Sequence, residues 1–585
     1  MKICAERQKL LDCTGHALVL GGPGSGKTTI ALMKAALRIK AGLLSGQSVL
    51  FLSFSRAAVA RVDQAAKLQL KKAERALLNV QTFHSFFWEL LKTHGYLLGS
   101  PRRLQILMPH DERVLNGGIK EDEDLEDWNN WRLERERLFV TEGKIPFDLF
   151  APKAAELLEK SGWIRTLVAE RFPLIIVDEA QDTSAHAWRC VELLASSTRV
   201  ICLADLEQQI FDHLPGIGPE RIDAIKTTLA PLEINLGAEN LRSPDSEIAH
   251  FGRDIIAVRV SPTGYKGVSN LPFDRKGDLG SVLRTSIGCL QRQIRKETKK
   301  WGKTIAILVP TSYEAVKVSQ SLTNATKPVR HKLLFDETEA MLAARFAAYL
   351  LEPRQTMTEA LQVAEALALL TNIKVASGSN TEANRLRGFE TKCRAGGFSR
   401  AGLVTALRAL LGSLSTSWYT GDPARDWTFV KKQLRAANND LLASVAGHLD
   451  YLVAFNRGKR ISANLVARWD LTQSYTLARA AVDLALTQDL IVDGADDPDG
   501  VQVMTIHKSK SKQFDGVIVL RRARHDGTKL VSNLLWRDDL PPYPRSRKIL
   551  MVAVTRARVH TLIVQQGFPQ CPILNPHRLR WAFQK

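Results

Sequence analysis

Eight residues, Gly21-Gly22-Pro23-Gly24-Ser25-Gly26-Lys27-Thr28, constrain this chain more than any others, because they satisfy G-x-x-x-x-G-K-[ST] between an apolar run and a helical one. In a chain of 585 residues the four fixed positions are expected to coincide by chance on the order of 0.02 times. Ala17-Leu18-Val19-Leu20 has the length and apolarity of a strand, and Thr28 to Lys40 reads as a helix that stops at Gly42. Glycines let such a turn point its backbone N–H groups inward, and the helix N-terminus adds partial positive charge. The stretch therefore predicts a phosphate cradle, with Lys27 reaching the β and γ phosphates and Thr28 holding magnesium.

A second apolar run, Phe172-Pro173-Leu174-Ile175-Ile176-Val177, ends in Asp178-Glu179-Ala180-Gln181-Asp182. An aspartate there supports a magnesium ion, and a glutamate can take a proton from attacking water. The two segments together predict an ATP-hydrolysing site using Mg2+. Strand-like runs also occur at Val49 to Ser55, Val80 to Phe86 and Arg199 to Ala204, the last leading to Asp205 and Gln208, a polar tip suited to sensing a γ-phosphate. Phe54 stands at a strand's carboxyl end, where open α/β sheets put their ligands. Upstream, the amide of Gln8 can donate and accept in one plane, as adenine requires.

A chain this long suggests three to five domains. Residues 88–165 turn helical and polar, which reads as an insertion into a first α/β unit formed by 1–87 and 166–236. A second strand-rich unit takes in 237–355 and 495–585, interrupted by an Ala/Leu-rich helical stretch at 356–494. Strands are expected in it at Lys303 to Pro310, Val501 to Lys508, Gly516 to Leu520 and Thr561 to Val564, with a helical stretch at Arg547 to Arg558.

The net charge is +20, which points to a polyanionic partner, nucleic acid first. The seven cysteines lie at 4, 13, 190, 202, 289, 393 and 571, without a C-x-x-C pair, which argues against a disulfide framework or a zinc site. No apolar run has the length of a membrane span and the first residues lack a signal-peptide core, so a cytoplasmic location without membrane partners is expected.

The order of these pieces resembles the UvrD, Rep and PcrA group of superfamily 1 DNA helicases. The resemblance is carried by Gln8, the loop at 21–28, Ser53 to Ala58, Thr82-Phe83-His84-Ser85-Phe86, the DEAQD at 178–182, Asp205 to Phe211, Asn240-Leu241-Arg242-Ser243, Thr505 to Asp515, and Val552-Ala553-Val554-Thr555-Arg556-Ala557. It implies an α/β protein of two RecA-like parallel-sheet P-loop motors, each with a mostly helical insertion. It implies too that Gly22, Gly24, Ser25, Gly26, Lys27, Thr28 and Thr29 hold the nucleotide with Gln8 and Gln513, and that Thr28 and Asp178 hold the metal. Lys27, Glu179 and Gln208 are then catalytic, joined by Arg242 and Arg556 as arginine fingers, while Phe54, His84, Phe211 and His507 line a single-strand track.

The implied activity is ATP-driven 3′-to-5′ translocation on single-stranded DNA and unwinding of tailed duplexes, in repair or anti-phage defence. Three departures from the group's pattern bear on it: Leu241 for an adenine-stacking tyrosine, His213 for a DNA-stacking tryptophan, and Ser511-Lys512-Gln513 for Gly-Leu-Glu. The segment after Arg558 is too short for the C-terminal nuclease domain of RecB-like or AddA-like relatives, so any cutting is expected from a separately encoded nuclease. An alternative reading follows, a nucleotide-gated DNA-sensing or loading subunit that unwinds little by itself.

Overall fold

The structure is a computed structural model. It describes residues 3–581 apart from 118, 120–124, 206–219, 238–242, 275–276, 335–337, 378, 416–417, 452–458, 493–498, 511, 538 and 578. The chain divides into two compact units, one of residues 1–87, 154–335 and 494–585, the other of 88–153 and 336–493.

The first unit contains two wholly parallel sheets. From edge to edge, the strands of the first are Leu78–Thr82, Val49–Ser53, Leu174–Val177, Arg199–Ala204, Ala17–Leu20 and Leu232–Asn235. Parallel strands covered on both faces need apolar side chains at successive positions, and Leu174 to Val177 and Val49 to Leu52 are all buried. The second sheet runs His331–Leu334, Gly500–Thr505, Thr304–Val309, Phe514–Arg521, Ala557–Gln566, Val268–Phe273 and Arg580–Trp581. These are two helix-flanked parallel-sheet cores, the arrangement of tandem RecA-like domains.

Pairing in the first sheet sets its carboxyl ends side by side. Leu20 is level with Ala204, and Val177 with Cys202. The segments beginning at Gly21, Asp178 and Asp205 therefore leave neighbouring strands at one edge of the sheet, the place where open α/β sheets bind ligands. The strands Leu232–Asn235, Val268–Phe273 and His331–Leu334 are additional to those expected, the helix expected to Arg558 ends at Val554 before the strand Ala557–Gln566, and two expected strands end early. The run from Val80 continues as strand only to Thr82, and Phe83–His94 is a helix, because the Thr82 hydroxyl accepts the Ser85 N–H at 3.1 Å. The strand from Val501 likewise ends at Thr505, whose hydroxyl caps the short helix Ile506–Ser509.

The second unit is almost entirely helical. Its core is built on the helices Thr338–Leu351 and Glu359–Ala376, which are apolar on nearly every face, as central helices of a bundle must be. Arg345 joins the segment 88–153 to this bundle through ion pairs with Asp111, and it also holds Asp483 at 3.0 Å. Nearby, Arg135 lies 3.7 Å from Glu112 but sits closer to Asp148. Burial, reinforced by the Asp148 charge, pushes the Glu112 carboxyl up to about 7.

A raised carboxyl pKa in the folded state adds stability at low pH that is lost as pH climbs through the folded value. The Glu112→Gln variant is expected to match the unaltered chain in thermal melting at pH 4.5 and to exceed it at pH 8, by about 1–3 kcal/mol. Equal melting differences at both pH values would remove Glu112 as the source.

Candidate nucleotide site

Gly24 and Gly26 have φ of 82° and 88°, in the left-handed region where a side chain is strained, so the loop can be this tight only with glycine there. At Gly21 an added Cβ would meet the Ser25 hydroxyl at 2.5 Å. The helix Lys27–Lys40 follows directly, aiming its free N–H groups into the loop. Beneath the loop, the buried Arg7 donates to the Ser25 carbonyl at 3.1 Å. Lys27 is held across the loop mouth, its Nζ donating to the Gly22 carbonyl at 3.1 Å and pairing with Asp205 at 3.3 Å.

At the end of the strand Leu174–Val177, Asp178 is anchored by its N–H on the Leu52 carbonyl. Glu179 adopts φ 53° and ψ 43°, a conformation that costs a residue other than glycine about 1–2 kcal/mol. Its neighbours hold it there. The Gln181 amide donates to Glu179 at 2.7 Å and to Asp182 at 3.3 Å, while its oxygen accepts the Asp205 N–H at 3.0 Å. Burial, then the Glu179 charge, raises the Asp178 carboxyl to about 6. For Glu179 burial acts in the same direction but is outweighed by Lys510, Lys27, the Gln181 hydrogen bond and Arg61, which keep it below the usual value and therefore ionised at neutral pH.

The second sheet and the segments leading from it contribute three cations, Arg556, Lys510 and Arg558. Arg556, 1 % exposed, follows the helix Pro544–Val554 and donates to the Val552 carbonyl at 3.0 Å. Burial lowers its pKa to about 10, against the support of Glu179 and Asp205, so it remains charged at neutral pH. Lys510 forms a fully buried pair with Asp182 at 2.5 Å. These groups surround a cavity of about 330 Å³, lined by the loop from Pro23 to Thr29, Asp178, Glu179, Asp205, Gln513 and Arg556, together with Arg61 and Arg558.

The cavity thus gathers Gly24, Ser25, Gly26, Lys27, Thr28, Thr29, Asp178, Glu179, Gln513 and Arg556, while Gly22 is met through its carbonyl at Lys27. Gln8 is not among its lining residues; it is exposed and donates to Asp12 at 2.8 Å. Phe54 is half-buried, His84 exposed, and His507 lies edge-on to Trp536 with ring centres 5.3 Å apart. Gln208, Phe211, His213, Leu241 and Arg242 lie outside the described residues. Sequence reasoning missed Arg7, Arg61 and Lys510. For Arg7 a signal existed, since it shares a helix face with the buried Leu10.

A magnesium ion with a triphosphate fits this donor set. The Thr28 hydroxyl and one or two carboxylates are the hard oxygens that Mg2+ takes from a protein, leaving phosphate and water to fill its shell. Among the described residues there is no group of three or more His, Cys, Asp or Glu that would mark a richer metal site, and no helix long and apolar enough to cross a membrane.

A glycine loop after an inner strand, an Asp-Glu pair after a near neighbour and an arginine from a second parallel sheet define the class of tandem RecA-like P-loop proteins. The UvrD/REP helicase N-terminal domain family matches residues 4–139 and 120–216. The chain is 28 % identical over 246 residues to DNA helicase II of Haemophilus influenzae, covering 35 % of this chain and 34 % of that protein. It is 23 % identical over 274 residues to the ATP-dependent DNA helicase Rep of Escherichia coli, 41 % of each, and 26 % identical over 242 residues to that organism's DNA helicase II, 35 % and 34 %. Residues 4–216 thus carry a UvrD/REP-type helicase N-terminal domain, and the chain's matches span between a third and about two fifths of these relatives' length.

Removing one partner of a buried ion pair strands the other charge, at about 3–5 kcal/mol. Lys510→Met is therefore expected to lower the melting temperature. The deficit should be larger at pH 8 than at pH 6, because Asp182, already raised to about 7 by burial, relieves the loss by taking a proton. Adding Asp182→Asn to Lys510→Met should restore most of the stability. A deficit independent of pH would mean that lost packing, not charge, is responsible.

Proposed function

We propose that this chain is an ATP-driven 3′-to-5′ single-stranded DNA translocase and helicase, working in DNA repair or anti-phage defence. The observation that carries the reading is the cavity in which the glycine loop, the Asp178-Glu179 pair and Arg556 converge from two parallel sheets. Gly22 to Thr29 cradle the phosphates, with Lys27 on the β and γ groups and Thr28 and Asp178 holding magnesium. Glu179 takes the proton of the attacking water as the γ-phosphoryl group passes to it, giving ADP and inorganic phosphate. Arg556 offsets the charge that spreads over the transferring group, with Arg242 as a second finger and Gln208 as the sensor. Gln8 reads adenine and Gln513 bonds the ribose.

Three further observations support the DNA side of this reading. The names of the relatives are those of DNA helicases, the charge is +20, and a second cavity, of about 580 Å³, brings Tyr313, Lys317, Arg522, Arg524 and Trp536 together. Aromatic faces among cations suit single strands of any sequence. Phe54, His84, Phe211 and His507 complete the track in this reading. Closing and opening of the two α/β halves around ATP would step them along it, with residues 88–165 and 356–494 as the inserted helical parts.

Single-stranded DNA is expected to raise the ATPase rate, and Lys27→Ala to abolish it; a rate indifferent to nucleic acid overturns the reading. Arg556→Ala should leave ATP affinity within a few fold and cut turnover by roughly 10³-fold. Displacement of a strand from a 3′-tailed duplex by the isolated chain tests the helicase itself. ATPase without displacement, restored by a co-purifying nuclease, would favour the sensing or loading subunit, a reading motivated by the altered Ser511-Lys512-Gln513.

A further inference from the structure

The helix Arg56–Gln69 begins at the carboxyl end of the strand Val49–Ser53, capped by the Ser55 hydroxyl on the Ala58 N–H. One of its faces walls the nucleotide cavity: Arg61, Ala65 and Leu68 recur there at helical spacing, with Val62 and Gln64 beside them. Arg61 is the single cation on that wall. Its Nε is buried without a hydrogen-bond partner, and among the described residues the guanidinium makes no ion pair within 4 Å. Its field nonetheless reaches Asp178, Glu179 and Arg556, the groups at the carboxylate end of the cavity.

Each other cation of the site already has a partner within the protein, Arg558 among them at 3.6 Å from Asp515. Lys27 is paired with Asp205, Lys510 with Asp182, and Arg556 donates to the Val552 carbonyl. A guanidinium lining a cavity with no ion pair among the described residues, within electrostatic reach of Asp178 and Glu179, is suited to an anion brought in by the ligand. On the nucleotide reading, the last phosphate of a triphosphate held by the glycine loop would lie toward Asp178 and Glu179, which line the same cavity as Arg61.

We propose that Arg61 is a binding residue for the terminal phosphate of a magnesium-bound nucleoside triphosphate, acting from the same α/β half as the glycine loop. The inference rests on the nucleotide reading above and deepens it. Arg556 reaches the site from the second sheet, so its distance to the phosphates depends on how the halves meet. Arg61 is carried by a helix of the first sheet and keeps its distance to the loop in any such arrangement. It therefore acts in binding, and distinguishes triphosphate from diphosphate before DNA is engaged.

Calorimetry on the purified full-length chain, with magnesium and without DNA, tests this using ADP and a non-hydrolysable ATP analogue. Arg61→Ala is expected to weaken the triphosphate roughly 10- to 100-fold and ADP less than about threefold, with the melting curve unchanged. Arg61→Lys, which keeps the charge but not the planar fork, should recover most of the loss. Equal weakening of both nucleotides, or of neither, overturns the role of Arg61 and makes it a structural counter-charge to Asp178 and Glu179. If the unaltered chain binds neither nucleotide while melting cooperatively, the nucleotide reading itself falls, and this inference with it.

Discussion

The buried pair between Lys510 and Asp182 is the contact on which the geometry of the cavity depends. It carries a charge from a segment that follows a strand of the second sheet into the Asp-Glu segment of the first. Taking two charges out of water costs several kcal/mol per ion; Gln181 adds a hydrogen bond at 3.3 Å to the Asp182 oxygen that Lys510 holds. Gln181 also holds Glu179 and receives the Asp205 N–H, so one amide fixes the carboxylate proposed as base, the residue paired with Lys27, and the docking point of the second sheet. The left-handed backbone of Glu179 is sustained by this network, since strain of that size persists only where the surroundings determine it.

Much of the fold was legible because the inner strands of the first sheet are short apolar runs ending in a recognisable polar residue, whereas mostly exposed or half-buried strands such as Leu232–Asn235 and His331–Leu334 carry no such pattern. Ala17 to Leu20 before the glycines, Leu174 to Val177 before Asp178 and Arg199 to Ala204 before Asp205 could all be located from pattern alone. Where strand passed into helix, the pattern misled: alternation from Val80 to Phe86 conceals the cap that Thr82 provides. For the site, the contiguous motifs converge on one cavity. Residues that reach it from helices were not readable, because their direction is set by packing. Arg61 lies on a helix that could equally have shown that face to water, and Lys510 belongs to a lysine-rich stretch that reads as exposed.

Gln8 and Arg7 show how fine the distinction is. They are neighbours on the helix Ala5–Asp12, about 100° apart around its axis. The structure buries Arg7 under the glycine loop and leaves the Gln8 amide bonded to Asp12. An adenine-reading role for Gln8 therefore requires the amide to leave Asp12, an exchange between exposed partners that costs little.

The cations of the cavity fall into two kinds, and the difference bears on what nucleotide binding can move. Lys510 and Arg556 are buried and already hydrogen-bonded within the protein. Withdrawing either from its partners costs several kcal/mol, as much as a whole domain's margin can bear. Lys27 and Arg61 border the open part of the cavity and are only half-buried, Lys27 bonded to loop carbonyls and 3.3 Å from Asp205, Arg61 with no ion pair among the described residues. On the proposed reading, an incoming phosphate competes only with these weaker arrangements, so the first-sheet cations can change partners while the Lys510–Asp182 contact stays intact. Movement driven by the nucleotide would then turn about that pair, because the free energy of a few charge-assisted hydrogen bonds is enough to re-aim surface-lining cations and not enough to break a buried one.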